Sequence, residues 1–272
     1  MKKNKTQAAA ELSRQEAYVK SHRQYKRRIS SVRVIIFILF LMLWQFSSSA
    51  KLIDSFFFSS PLKVVLCFWE LLTEKALLQH IGITLFETLT SFLLVFLVGM
   101  AAATLLWYSS GFSEIAEPYL VVLNSLPKSA LAPLFIVWLG TGAKTIIVAG
   151  ISVAVFGSII SLYTGFMQVD PEKITLIYTL GGKKRDAFRK VVLPGSVPII
   201  LSTMKVNIGL ALVGVVIGEF LAARRGLGYL IIYGSQVFQM HMVITSIILL
   251  CIIAMGLYLL LQQIEHYCAK HF

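Results

Sequence analysis

Six long apolar stretches, near residues 33–50, 81–107, 118–139, 145–166, 199–222 and 242–261, leave this chain few ways to fold. Each is about as long as the ~20 residues that a helix needs to cross a bilayer core. A water-soluble fold of this size has no interior large enough to hide all six. Composition agrees, with 57% of the 272 residues hydrophobic and 14% charged, and a mean hydropathy of +0.78. The expectation is an all-α integral membrane protein with about six transmembrane helices. The first span is the shortest: its fully apolar part, Val34 to Phe46, must borrow Ser47 to Ala50 to cross.

Lys and Arg positions then orient the spans, because basic loops are retained on the cytoplasmic face. Ten basic residues lie in 1–33 and seven between Lys173 and Lys205; Lys270 joins them on one side if six spans cross. The other side holds Lys51, Lys63, Lys75, Lys144, Arg224 and Arg225. Both termini are therefore predicted to be cytoplasmic. This partition accounts for the net charge of +12 through topology and attraction to anionic membrane lipid rather than through nucleic acid. Residues 1–32 form a basic arm that reads as a surface helix, 33–80 the first span and an extracytoplasmic loop, 81–265 the core, and 266–272 a cytoplasmic tail. Ser47-Ser48-Ser49-Ala50 has the small residues of a signal-peptide cleavage site, but the basic region ahead of it exceeds thirty residues, so an uncleaved anchor is expected.

Few residues offer chemistry. Gly140-Thr141-Gly142-Ala143-Lys144-Thr145 fails as a phosphate loop, since Ala143 separates glycine from lysine and the stretch falls on the outer face, where it reads as a tight turn. His266, Cys268 and His271 read as a frayed tail rather than a metal site. Cys67, Cys251 and Cys268 are too scattered for a disulfide framework. No spacing typical of hydrolases or zinc peptidases occurs, so no catalytic residue, metal or cofactor is assigned to this chain. Ionisable residues inside spans merit a functional hypothesis. Glu219 reads either as a structural carboxylate bonded to backbone amides or to Arg224 or Arg225, or as part of a translocation path; Glu87 and Asn207 leave the same two readings open. Lys128, between Pro127 and Pro133, either snorkels to headgroups or faces a wet cavity. Small residues at four-residue spacing, Gly150, Ala154 and Ser158, then Gly214 and Gly218, predict close helix packing.

One polar segment, residues 170–198, interrupts the apolar pattern. Asp170-Pro171 predicts a helix start and Gly181-Gly182 its stop. A second short helix, Lys183 to Val192, is expected to end before Pro194. The string Thr175 to Pro194 resembles the EAA loop of permease subunits of bacterial ABC importers: E-A-A, three residues, glycine, nine residues, I-x-L-P. Gly181 takes the glycine's place and Val191-Val192-Leu193-Pro194 closes the pattern in register. Gly218 to Ile231 is similar to the sulfonate, nitrate and taurine branch, and the likeness extends through Ser125-Leu126-Pro127, Trp138-Leu139-Gly140 and Asp170-Pro171, over roughly residues 60 to 265. Two departures stand out: Thr175-Leu176-Ile177 replaces Glu-Ala-Ala, and Glu87 stands where many relatives carry arginine.

The resemblance implies a MetI-like ABC permease fold with a cytoplasmic coupling helix between spans four and five. It implies a homodimer in the bacterial cytoplasmic membrane, two cytosolic ATPase subunits that bind ATP-Mg, and an extracytoplasmic solute-binding protein. The coupling-loop residues carried over are Asp170, Pro171, Thr175, Leu180, Gly181, Lys183, Arg185, Phe188, Arg189, Leu193 and Pro194, with Leu180, Phe188 and Val192 expected to seat the loop on its partner. The implied solute is a small anion such as an aliphatic sulfonate, taurine or nitrate. The rival reading is an ion- or proton-coupled secondary transporter, which predicts an internal repeat with paired broken helices; none is evident.

Overall fold

The computed structural model of the chain describes residues 2–50, 52–73 and 76–269. Lys51, Lys75, Lys270 and His271, named above, lie outside them, as do the side chains of residues 2–21 and of Arg23, Gln24, Arg27, Ser55, Cys268 and Ala269. The described residues contain helices and no strand, and they divide into two compact units, residues 1–65 and 66–272.

In the first unit, α1 runs Lys2–Ser49, and its apolar portion, Arg28–Ser49, has the length and hydropathy of a span. Asp54 starts the short α2, Ser55–Phe58, by accepting from the Phe56 amide at 2.8 Å. The Trp44 indole donates to the Phe58 carbonyl at 3.3 Å and Gln45 Oε1 accepts from the Leu62 amide at 3.2 Å, so the end of α1 binds the chain that follows it.

A helix α3, Pro61–Thr73, occupies what reads in sequence as loop. Within the second unit, its Cys67 and Leu71 pack with Leu77 of α4 (Ala76–Tyr108), Leu227 and Leu230 of α12 (Leu227–Gln236) and Leu249 of α13 (Met240–Ala269). This apolar cluster gives two helices too short to cross a bilayer an amphipathic seat. α4, α7 (Ala143–Met167), α11 (Val197–Ala222) and α13 are long and apolar enough to cross.

The predicted third span is not one straight helix. It divides into α5, Ser110–Ser125, and α6, Lys128–Leu139, which meet at 93°. The cause is local: Leu126 precedes Pro127, whose ring excludes helical geometry from the residue ahead, and Leu126 is accordingly extended at φ −62°, ψ 140°. Lys128, at the restart, donates to the carbonyl of Asn124 across the break.

α7 packs between α4 and α11, and small residues set the distances. A Cβ built on Gly214 would stand 2.7 Å from the Gly150 Cα, and one on Gly150 would stand 2.6 Å from Ser91 Oγ. Backbones this close gain dispersion contacts that bulkier side chains would forbid, the main source of helix association in lipid. The four-residue spacing of small residues is thus a packing device in this chain.

Candidate functional site

Between α7 and α11 the chain builds a knob from the polar segment. Its first helix, α8, spans Pro171–Thr179 and is started by Asp170, whose carboxylate accepts from the Glu172 amide at 2.9 Å. Pro171 at the first position loses no needed bond. The helix ends in a Schellman turn: the Gly182 amide bonds the Ile177 carbonyl at 2.8 Å and the Gly181 amide bonds the Tyr178 carbonyl at 3.0 Å. Gly181 sits at φ +80°, in the left-handed region that costs an L-residue about 1–2 kcal/mol.

The second half departs from the sequence expectation. α9, Lys184–Ala187, is fastened by the Asp186 carboxylate, which accepts from the Lys183 amide at 2.9 Å. It then widens into a π-turn, Phe188–Val192, where the Leu193 amide reaches back five residues to the Phe188 carbonyl. The helix does not stop before Pro194. The wider turn absorbs the missing proline N–H, α10 (Leu193–Gly195) carries on, and the Ser196 amide bonds Val192 at 2.9 Å on the way into α11.

Exposure sorts the knob into two faces. No residue of α8 is buried, and Leu176, Tyr178 and Leu180 are 58%, 44% and 75% exposed. Lys183, Arg185 and Arg189 are also exposed, and Thr175 spends its hydroxyl on its own helix, bonding the Pro171 carbonyl at 2.9 Å. Phe188 and Val192 turn the other way: both are buried, in a cluster with Ala103, Leu162, Phe166 and Ile200, where Leu193 also packs. The expectation that Phe188 and Val192 seat the knob on a partner is therefore corrected.

The three polar residues singled out inside the spans are also buried, with Glu87 and Asn207 at 2% exposure and Glu219 at 0%. Asn207 donates to Ser158 Oγ at 2.8 Å, joining α11 to α7. Glu219 accepts from Thr84 Oγ1 at 2.7 Å and from the Gly228 amide at 2.5 Å, and not from Arg224 or Arg225. Thr84 in turn accepts from the Leu227 amide at 2.9 Å, and His80 Nδ1 accepts from the Gly226 amide at 2.9 Å. Gly226 and Gly228 permit this approach, since a Cβ on either would stand 2.7 Å from Glu219 Oε2. Glu87 meets Glu219 and keeps one oxygen without a partner. Within one chain these groups join α4, α7 and α11 to one another.

The family model described as binding-protein-dependent transport system inner membrane component matches residues 95–267, a range that holds the knob and the helices α7 and α11 on either side of it. The chain belongs to this family. An ABC transporter permease protein of Haemophilus influenzae is 30% identical over 83% of this chain and 91% of its own length. The Bacillus subtilis aliphatic sulfonates transport permease protein SsuC is 26% identical over 92% of this chain and 91% of its own. The formylaminopyrimidine transport permease protein ThiX of Halalkalibacterium halodurans is 27% identical over 75% and 81%. A chain from the MetNI methionine ABC transporter, in its inward-facing conformations, superimposes with a TM-score of 0.63 at 17% identity, over 72% of this chain and 97% of that one. The fold of this permease is thus that of the MetI-type ABC transporters.

Sequence reasoning passed over His80, Thr84 and Ser91 in the permease. Together with Glu87 they recur at four, three and four residues along α4, a polar stripe inside an apolar helix, and that period was the available signal. Trp107, Tyr108 and Lys184 were also missed, for want of any sign that the knob would fold onto the end of α4.

Proposed function

We propose that two copies of this permease form the translocation path of an ATP-driven importer, with the knob docked on a cytosolic ABC ATPase. The observation that carries this reading is the exposed α8, a helix about 13 Å long with Leu176, Tyr178 and Leu180 open and Lys183, Arg185 and Arg189 beside them. A soluble partner that covers those apolar side chains and presents acidic groups to the cations would gain on both counts. ATP, held with Mg by that partner, drives its closure; the permease supplies no nucleotide site. The lever shifts the permease between two states only because the partner binds them with different affinity.

Under this reading the knob, both termini and the basic arm lie in the cytoplasm of a bacterial cell, while Gly140 and Gly226 lie outside. A solute-binding protein on that outer side delivers the cargo. SsuC supports a small anion such as an aliphatic sulfonate, with taurine or nitrate in the same class, whereas ThiX marks uncharged heterocycles as the competing class.

Purification through a tagged permease tests the docking: an ABC ATPase should co-purify, and Leu180→Glu should release it. An ATPase still bound to Leu180→Glu, or uptake by the isolated permease driven by an ion gradient alone, would refute the reading. Competition of labelled aliphatic sulfonate uptake by taurine, nitrate and a formylaminopyrimidine separates the cargo classes.

A further inference from the structure

The inward face of the knob meets a part of the permease that nothing above gives a role, the last turn of α4. Phe188 is the centre of the contact. Its ring lies 5.2 Å from Trp107 and 5.5 Å from Tyr108, both on α4, and 5.5 Å from Phe166 on α7, the last in an edge-on arrangement. Trp107 and Tyr108 are themselves edge to face at 5.3 Å. Aromatic rings at such separations attract one another beyond the area they bury. A cation completes the grip: Lys184 Nζ donates to the Tyr108 carbonyl at 3.0 Å and lies 5.4 Å from the centre of the Trp107 ring. That carbonyl is one of the last of α4, where the helix has no amide left to bond it and a positive charge is favoured.

We propose that Trp107 and Tyr108 are the receiving end of the coupling stroke: the knob grips α4 through Phe188 and Lys184, so a push on α8 moves α4 along with α11. This rests on the docking reading above. The mechanical reason is the contrast between the knob's two faces. α8 leans on the Phe188 cluster through Ile174 but turns Leu176, Tyr178 and Leu180 outward, whereas Phe188 joins α4 to α7 one turn beyond the Schellman turn. α4 is held to α7 along its length by the Gly150–Ser91 approach and to α11 by the Thr84–Glu219 bond. Displacement entering at the knob therefore reaches the buried polar groups through α4 as directly as through α11. Trp107 and Lys184 are positioning residues; neither touches solute or nucleotide.

The test uses the assembled complex, purified through the tagged permease and reconstituted with its binding protein. Trp107→Ala and Lys184→Gln should each retain the ATPase on the column while cutting ATP-driven uptake at least tenfold, with a fall in solute carried per ATP hydrolysed. Trp107→Phe and Lys184→Arg, which keep a ring and a cation, should restore most of that ratio. A purely structural role would lower the yield of complex and leave the transport ratio of the surviving fraction unchanged, and that outcome overturns the proposal. Wild-type transport ratios in both Trp107→Ala and Lys184→Gln would overturn it as well. Failure of the wild-type permease to retain any ATPase would instead sink the docking reading, a result visible before any variant is made.

Discussion

Gly181→Ala should loosen the knob although the added methyl group touches nothing. A Cβ at this position meets no atom within 4 Å, so the cost comes entirely from the backbone, which stands at φ +80°. An L-residue held there loses at least about 1 kcal/mol relative to glycine, the low end of the left-handed cost, asparagine less because it tolerates this region, and valine more because its branched Cβ crowds the following carbonyl. A loss of about 1 kcal/mol corresponds to roughly fivefold more frequent opening of the turn. Hydrogen exchange read by mass spectrometry on residues 176–190, in nanodiscs, would show it: exchange about fivefold faster in Gly181→Ala, near wild type in Gly181→Asn, and fastest in Gly181→Val. Gly182→Ala provides the contrast, since its Cβ would stand 2.8 Å from the Ile177 carbonyl oxygen and force the turn apart sterically. Equal protection in the alanine and glycine chains, or an asparagine variant worse than valine, would refute the assignment of the cost to the left-handed backbone.

Further outcomes follow from the buried groups. Glu219→Gln replaces one acceptor by a donor beside the Thr84 hydroxyl and the Gly228 amide and should cost about 2 kcal/mol, a fall of about 4–8 °C in the melting temperature of the detergent-solubilised chain; Glu87→Gln, which relieves two facing carboxyl groups, should melt no lower than wild type. Gly214→Leu drives a side chain into the Gly150 backbone and should cost more than the 1–3 kcal/mol typical of overpacking, read as loss of folded protein on size exclusion. Cys67 is 4% exposed, and burial pushes its thiol above the ordinary value, so less of it is thiolate at any given pH; alkylation at pH 8 should be negligible in the folded chain and complete after denaturation.

The residues differ in how openly they announced this architecture. Spans could be read because length and apolarity in lipid act residue by residue, and α8 could be read because Asp170, Pro171 and Gly181 act on the nearest few amides. The break at Leu126 was written in the Pro127 that follows it, yet the 93° angle goes with different seats for the two halves, α5 against α4 and α7 and α6 against α7 and α11. Pro194 misled for a related reason: a proline forbids an ordinary helical turn, but a turn one residue wider tolerates it, and packing of Phe188 and Val192 favours that wider turn. The buried partners of Glu219 were least legible, because Thr84 and Gly228 lie 135 and 9 residues away and only the folded chain brings them together.

The π-turn leaves the knob without slack. From Lys184 to Ala222 the backbone turns almost continuously, and each residue of such a spiral sets the phase of everything beyond it. One residue added or removed between Val192 and Val197 would rotate α8 by about 100° around the α11 axis and shift it by about 1.5 Å, aiming Leu176, Tyr178 and Leu180 away from whatever they face. A change of side chain here leaves that angle intact while a change of length does not, so the nine-residue interval between Gly181 and Val191 is a gauge of angle before it is a motif.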